Sequence, residues 1–214
     1  VKQKVADRVA EERPDLVAFS VVTSDVPWFK QIGRMIRART DAPIIAGNIH
    51  VTSAPENVLA LDFVDAVVRG EGDHTIADVL DSLRNGAIDH DIQNLGVMEN
   101  GEPRLNPLRP LIQDLDSLPF PDKTLYENTP INAHDIYTIM ATRGCPYKCS
   151  FCNNSLMKRL YGLKGYVRRR SVDNVIAELE SARERYNPGH VNFYDEVFGV
   201  GKNWLREFKE KYNA

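Results

Sequence analysis

The spacing of apolar residues changes along the chain and marks out its elements. Residues 1–12 read as a helix, with Val5 and Val9 four apart among charged residues, and Pro14-Asp15 breaks it. Residues 16–22 form an apolar run interrupted only by Ser20, β-branched towards its end, which predicts a buried strand. Thr23-Ser24-Asp25 is polar and helix-capping, and residues 27–39 follow as a helix with Trp28, Ile32, Met35 and Ile36 on one face. Residues 43–46 predict a second strand, ending in Gly47-Asn48-Ile49-His50. A short helix over 55–61 and a third strand over 66–68 come next, the strand ending in Arg69-Gly70-Glu71-Gly72. Residues 75–84 predict a helix stopped by Asn85-Gly86. Strands alternating with helices predict an α/β fold with a parallel, doubly wound, Rossmann-like sheet. Ligands of such sheets lie beyond the carboxyl ends of the strands, where Thr23, Gly47 and Gly70 fall.

From residue 95 the pattern changes. Two short β-type runs flank Glu99-Asn100-Gly101, and Asn-Gly is a strong hairpin signal. Pro103, Pro107, Pro110, Pro119, Pro121 and Pro130 then mark an ordered linker with little regular structure. Residues 137–141 predict a strand. A helix capped by Ser171 runs to about residue 186, with Val172, Val175, Ile176 and Leu179 as its apolar face. Residues 190–194 predict another strand, ending in Asp195-Glu196, and Trp204, Leu205 and Phe208 open a further helix. The division expected is residues 1–112, a linker over 113–136, and 137–214. The β-loop-α-β-α pattern is still running at residue 214, so a fragment of a longer enzyme with a bare strand edge is expected.

Composition adds limits. The chain has 214 residues and a formal net charge of −3, which gives no reason to expect a nucleic-acid or membrane partner. No apolar run approaches the roughly 20 residues of a bilayer span, and a soluble cytoplasmic protein is the expectation. All three cysteines lie between positions 145 and 152, a poor disulfide framework.

The chemistry concentrates in that segment. Arg143-Gly144-Cys145-Pro146-Tyr147-Lys148-Cys149-Ser150-Phe151-Cys152 has CxxxCxxC spacing, and Gly144 and Pro146 keep it a loop. Three thiolates on one loop can bind three irons of a 4Fe–4S cubane and leave the fourth open. An open iron can chelate the amine and carboxylate of S-adenosylmethionine, whose sulfonium then lies ready for one-electron cleavage. Two other readings stay open. Zinc would need a fourth ligand, for which His134 and His190 are nearest in sequence. A redox pair at Cys149 and Cys152 leaves Cys145 unexplained. The Arg168-Arg169-Arg170 run reads as a solvated patch or as a holder of carboxylate or phosphate.

The loop resembles the cluster motif of the radical SAM superfamily, CxxxCxΦC, with Phe151 in the aromatic place. The resemblance implies that Cys145, Cys149 and Cys152 ligate the cluster and that Phe151 lies beside the adenine. It implies a partial (β/α) TIM barrel whose first strand precedes the loop. Asp195 and Glu196 then fall where the family contacts the methionine amino group or the substrate. The first half resembles the cobalamin-binding domain found upstream of such barrels, lacking its first strand and helix. That resemblance is carried by residues 15–20 with Thr23, by 46–52, by 67–72 and by linker residues 116–121. It implies that Ser20, Thr23, Gly47, His50, Thr52, Gly70, Glu71 and Gly72 line the cofactor site. The segment D-x-H-x-x-G is absent, so no histidine of this chain is expected to ligate cobalt. Asn48 and Asp73-His74 depart mildly from the family pattern.

The function implied is that of a cobalamin-dependent radical SAM enzyme, similar to the group containing the anaerobic magnesium-protoporphyrin ester cyclase. It would methylate or oxidatively cyclise a small-molecule substrate and draw electrons from a donor such as flavodoxin or ferredoxin. Two alternatives remain at this point: a radical SAM enzyme with a scaffold front domain, and a non-catalytic module with a structural metal.

Overall fold

A computed structural model describes residues 1–126 and 135–213, which form two compact units, Val1–Pro110 and Leu111–Ala214. Pro130 and His134 lie outside the described residues.

The first unit runs α1 (Lys2–Glu12), β1 (Val17–Ser20), α2 (Val26–Arg37), β2 (Ile44–Gly47), α3 (Ile49–Ser53), α4 (Pro55–Leu59), β3 (Ala66–Val68), α5 (Asp73–Arg84), β4 (Leu95–Glu99) and β5 (Glu102–Leu105). Its sheet has the order β1-β2-β3-β4-β5. The first three strands are parallel, and the β4–β5 hairpin continues the sheet antiparallel. The hairpin turns through Asn100 and Gly101 at φ 52° and 85°, as the Asn-Gly signal predicts. Successive residues of β2 serve opposite layers. Ile44 and Ala46 pack with Phe29, Ile32 and Ile36 of α2, while Ile45 packs with Val79 of α5. The inner strands β2 and β3 are thus covered on both faces, which is why they read as apolar runs, whereas β1 leaves Ala18 and Ser20 exposed.

Three details depart from the sequence expectation. β1 ends at Ser20 rather than at 22, because its ladder with β2 closes at Ser20–Gly47 and the chain then enters a 3-10 turn over Thr23–Asp25. No side chain of that turn caps α2. The buried stripe of α2 is Phe29, Ile32, Gly33 and Ile36, and Trp28, one residue out of phase, is 42% exposed.

The second unit contains β6 (Ile136–Ile139), β7 (Thr142–Arg143), α6 (Asn154–Tyr161), β8 (Arg168–Arg169), α7 (Val172–Tyr186), β9 (His190–Phe193) and α8 (Lys202–Tyr212). β6 and β9 pair in parallel across α7, the βαβ crossover expected of an opening (β/α) barrel. Ser171 caps α7 by accepting from the Asn174 amide at 3.1 Å, and Asn187 ends it in the left-handed region at φ 44°. Tyr137, Ile139 and Ala141 pack on Val175, Ala182 and Tyr186 of α7. A polar group lies within this layer: Glu178, 1% exposed, accepts from the Tyr137 hydroxyl at 2.9 Å and pairs with Arg170. Two members of the arginine run, Arg168 and Arg170, are therefore drawn inward, and Arg169 stays exposed. Arg168 donates to the Ile112 carbonyl at 2.9 Å, Arg169 to the Val200 carbonyl, and Arg170 to Glu178 and to the Met140 carbonyl. The proline-rich segment is ordered as far as described, with 3-10 turns at Leu115–Ser117 and Thr124–Tyr126 and with Leu111 and Leu115 buried. No helix among the described residues is long and apolar enough to cross a membrane.

Candidate functional site

The cysteine loop leaves the carboxyl end of β6 and is clamped at its base. β7 pairs with β8 antiparallel, Thr142 with Arg169 and Arg143 with Arg168, so both ends of the excursion over 144–167 are fixed. Gly144 stands at φ 86°, and a Cβ there would lie 2.4 Å from the Tyr166 carbonyl oxygen, so only glycine fits this corner. The Cys152 amide donates to the Cys149 carbonyl at 3.2 Å, and the Ser155 amide to the Cys152 carbonyl at 3.1 Å, turning the loop into α6. All three thiols are free; Cys145 and Cys152 are half-buried and Cys149 is exposed. Among the described residues no three His, Cys, Asp or Glu side chains converge on one point. The donor set nonetheless fits iron–sulfur chemistry: three soft thiols on one loop, none spent on a disulfide. Phe151 is 92% exposed beside them, an open aromatic face.

Asp195 and Glu196 follow β9, as the sequence predicts, and do different work. The Asp195 carboxylate accepts from the Ala141 amide at 3.1 Å and from the Thr142 amide and hydroxyl at 2.6 Å each. It ties the end of β9 to the start of the cysteine loop, so this carboxylate positions the loop. Glu196 is exposed and accepts from Asn154 Nδ2 at 3.1 Å. That same nitrogen lies 3.5 Å from Cys152 Sγ, and Asn154 Oδ1 accepts from the buried Tyr166 hydroxyl. Burial, then the nearby Glu196 carboxylate, pushes the Tyr166 phenol above its ordinary range, so it stays a donor. Asn153-Asn154 directly after the last cysteine fits the cluster motif in the sequence, whereas nothing in the sequence marks Tyr166.

In the first unit a cavity of about 340 Å³ opens at the carboxyl ends of β1, β2 and β3. Its lining includes Ser20, Gly47, Asn48, Gly70, Gly72 and Ile76. A Cβ at Gly47 would meet Val68 at 3.6 Å, and one at Gly72 would meet Val68 at 3.6 Å, ordinary contacts with the protein. The missing Cβ atoms therefore serve the open space, which suits close approach of a large planar cofactor. Ser20, Gly47, Gly70 and Gly72 are thus brought together. Thr52 is 5% exposed, and its hydroxyl is committed to the Asn48 carbonyl and the Gly70 amide, both at 3.0 Å. Thr23 and His50 pair with each other, Oγ1 to Nδ1 3.2 Å, outside the cavity lining. Glu71 also lies outside it and offers its carbonyl to Asn94 Nδ2 at 2.8 Å. Asn94, at φ 69° and buried, holds this corner together and was not foreseen. A larger cavity of about 740 Å³ sits at the opposite end of the sheet, where Asp15, Asp41 and Asp65 precede the strands. Ligands of open α/β sheets bind at the other end, so the smaller cavity is the candidate.

Residues 1–80 match the B12 binding domain family. The chain is 33% identical over 204 residues to the uncharacterized methyltransferase PH0819 of Pyrococcus horikoshii, covering 92% of this chain and 43% of that protein. It is 25% identical over 222 residues to the anaerobic magnesium-protoporphyrin IX monomethyl ester cyclase of Cereibacter sphaeroides, covering 99% and 35%. The chain therefore spans less than half the length of these curated relatives. Among solved structures, the radical S-adenosylmethionine methyltransferase TsrM from Kitasatospora setae, with tryptophan and a SAM analogue bound, superposes with a TM-score of 0.74. The identity is 20%, over 99% of this chain and 43% of that one. The cobalamin-dependent radical enzyme OxsB, with aqua-cobalamin and S-adenosylmethionine bound, gives 0.75 at 20% identity over 96% and 29%. At that identity the likeness establishes the fold.

Proposed function

We propose that the chain, whose residues 1–80 match the B12 binding domain family and which is similar along its length to a methyltransferase and an ester cyclase, carries the cobalamin- and cluster-binding parts of a cobalamin-dependent radical SAM enzyme. The observation that carries this reading is the set of three free thiols, Cys145, Cys149 and Cys152, on one clamped loop. These three residues would hold a 4Fe–4S cluster with one iron open to S-adenosylmethionine. The chemistry supplied by that pair is one-electron cleavage of S-adenosylmethionine to a 5′-deoxyadenosyl radical. The exposed Phe151 ring offers a stacking face for the adenine. Glu196, held by Asn154, offers a carboxylate for the methionine ammonium. Asp195 holds the loop against the end of β9. In the first unit, Ser20, Gly47, Gly70 and Gly72 would contact cobalamin, a carrier suited to methyl groups. Thr23, His50 and Glu71 would stand at the rim, and Thr52 would support Gly70 from behind.

Of the two reaction outcomes expected, methylation of a small molecule is favoured, because the relative at 33% identity is named a methyltransferase. The electron donor and a cytoplasmic setting belong to the same reading. Anaerobic iron–sulfide reconstitution followed by electron paramagnetic resonance tests it. A reduced-cluster signal that shifts when S-adenosylmethionine is added supports the reading, and zinc in place of iron overturns it. Retention of cobalamin on purification separates this reading from a front domain that is only a scaffold.

A further inference from the structure

The cysteine loop lies in a stretch of unusual charge. The 28 residues from Arg143 to Arg170 contain eight Lys and Arg and no Asp or Glu, in a chain of net charge −3, leaving −11 for all the rest. The structure separates these cations by job. Arg170 is paired with Glu178, and Arg168 and Arg169 are held by carbonyls of the chain. Lys158 is buried, and its ammonium donates to the Tyr147 carbonyl, which holds the loop but leaves the positive charge in place. Lys148, Arg159 and Lys164 are exposed, and among the described residues no carboxylate pairs with them. Lys148, Lys158 and Arg159 line a cavity of about 280 Å³ together with Ser155 and Leu163. Ser155 Oγ donates to the Cys149 carbonyl at 2.9 Å, so the wall of this cavity is joined to the cluster loop itself. Tyr147 and Leu163, 62% and 60% exposed, supply apolar surface among the cations.

We propose that the face carrying Lys148 and Arg159 beside the cysteine loop, with Lys164 next in sequence to its Leu163, is the docking surface for an acidic, one-electron protein donor. The proposal rests on the reading of that loop as a cluster site. Charge complementarity selects the partner, because an uncompensated cationic face steers and orients an anionic protein. A small surface that sets exposed Leu163 among cations suits a complex that must form and part quickly. Position gives the partner its role: the face borders exposed Cys149, so a donor seated there has a short path to the metal. In the transfer the donor loses one electron and the cluster gains it, with no bond made or broken.

The test uses the anaerobically reconstituted enzyme. Iron and sulfide content come first, since a protein that binds no cluster defeats the underlying reading and not the surface. With cluster present, stopped-flow absorbance follows its reduction by fully reduced flavodoxin, an acidic protein, and separately by reduced methyl viologen, a small cation. Arg159→Glu/Lys164→Glu lies outside the loop, and Lys148→Glu is made on its own. The expected result is a flavodoxin rate that falls with added salt and drops about ten-fold or more in the double variant, with the viologen rate unchanged or raised. Arg159→Gln/Lys164→Gln gives an intermediate drop. A wild-type flavodoxin rate indifferent to salt overturns the proposal, as does an equal fall with both reductants at full iron content.

Discussion

Replacing Asp195 with alanine separates a positioning carboxylate from a group whose only use is substrate contact. In the fold its oxygens accept from the amides of Ala141 and Thr142 and from the Thr142 hydroxyl. Ala141 and Thr142 are 0% and 2% exposed, so water cannot readily take over. A buried donor left without an acceptor costs about 1–3 kcal/mol, and bonds to a charged acceptor lie at the upper end. Two amides losing their acceptor together predict a destabilisation of about 2–5 kcal/mol for Asp195→Ala. Asp195→Asn keeps one acceptor oxygen, which can retain the Thr142 amide, and predicts about 1–2 kcal/mol. Chemical denaturation of the cluster-free protein reads the total. Amide hydrogen exchange reads the place: protection at Ala141 and Thr142 should fall by about ten-fold or more in the alanine variant. Stability within about 0.5 kcal/mol of wild type, with both amides still protected, would refute the reasoning and return Asp195 to a purely chemical role.

Three further outcomes follow from the geometry. Gly144→Ala places a Cβ 2.4 Å from the Tyr166 carbonyl at a positive φ, so the loop must move and iron binding should drop to a small fraction of wild type; normal iron uptake contradicts this. Gly47→Ala adds a Cβ beside the first unit's cavity at ordinary distance from Val68, so it should weaken cobalamin retention and cost under about 1 kcal/mol of stability; visible spectra of the purified protein decide. Burial holds Tyr137 and Tyr166 protonated above the ordinary phenol range, so the folded chain keeps protons that the unfolded chain releases near about pH 10. Stability is therefore full below that pH and falls as pH rises through it, and urea midpoints that agree at pH 8 and 10.5 would contradict the burial.

Much of the fold is legible in the sequence where one physical signal dominates. The strand over 66–68 is apolar and closed by glycines, and it forms as predicted. Asn100-Gly101 dictates its turn, and Ser171 caps α7. Misreadings arise where tertiary packing decides. Trp28 and Phe29 are equally apolar, and only the direction of α2 against the sheet shows which is buried. Helix α6 is short and follows the cysteine loop, where Asn153-Asn154-Ser155 reads as loop as readily as a helix start, and Asn153 makes no side-chain cap bond. Glu178 falls within an apolar face because Tyr137 and Arg170 are waiting for it, a pairing no local pattern reveals. The site divides in the same way. The cysteines declare themselves by spacing, since thiol chemistry needs those residues whatever the fold around them. Asp195, Asn154 and Thr52 acquire their roles from partners far away in sequence, such as Thr142, Tyr166 and Gly70.

The most direct test counts metal on the anaerobically prepared protein, with and without the three sulfur ligands. About four iron and four sulfide per chain are predicted for wild type, with near-complete loss in Cys145→Ala/Cys149→Ala/Cys152→Ala. Iron that persists in the triple variant, or a wild-type protein that takes up zinc and no iron, would contradict the account.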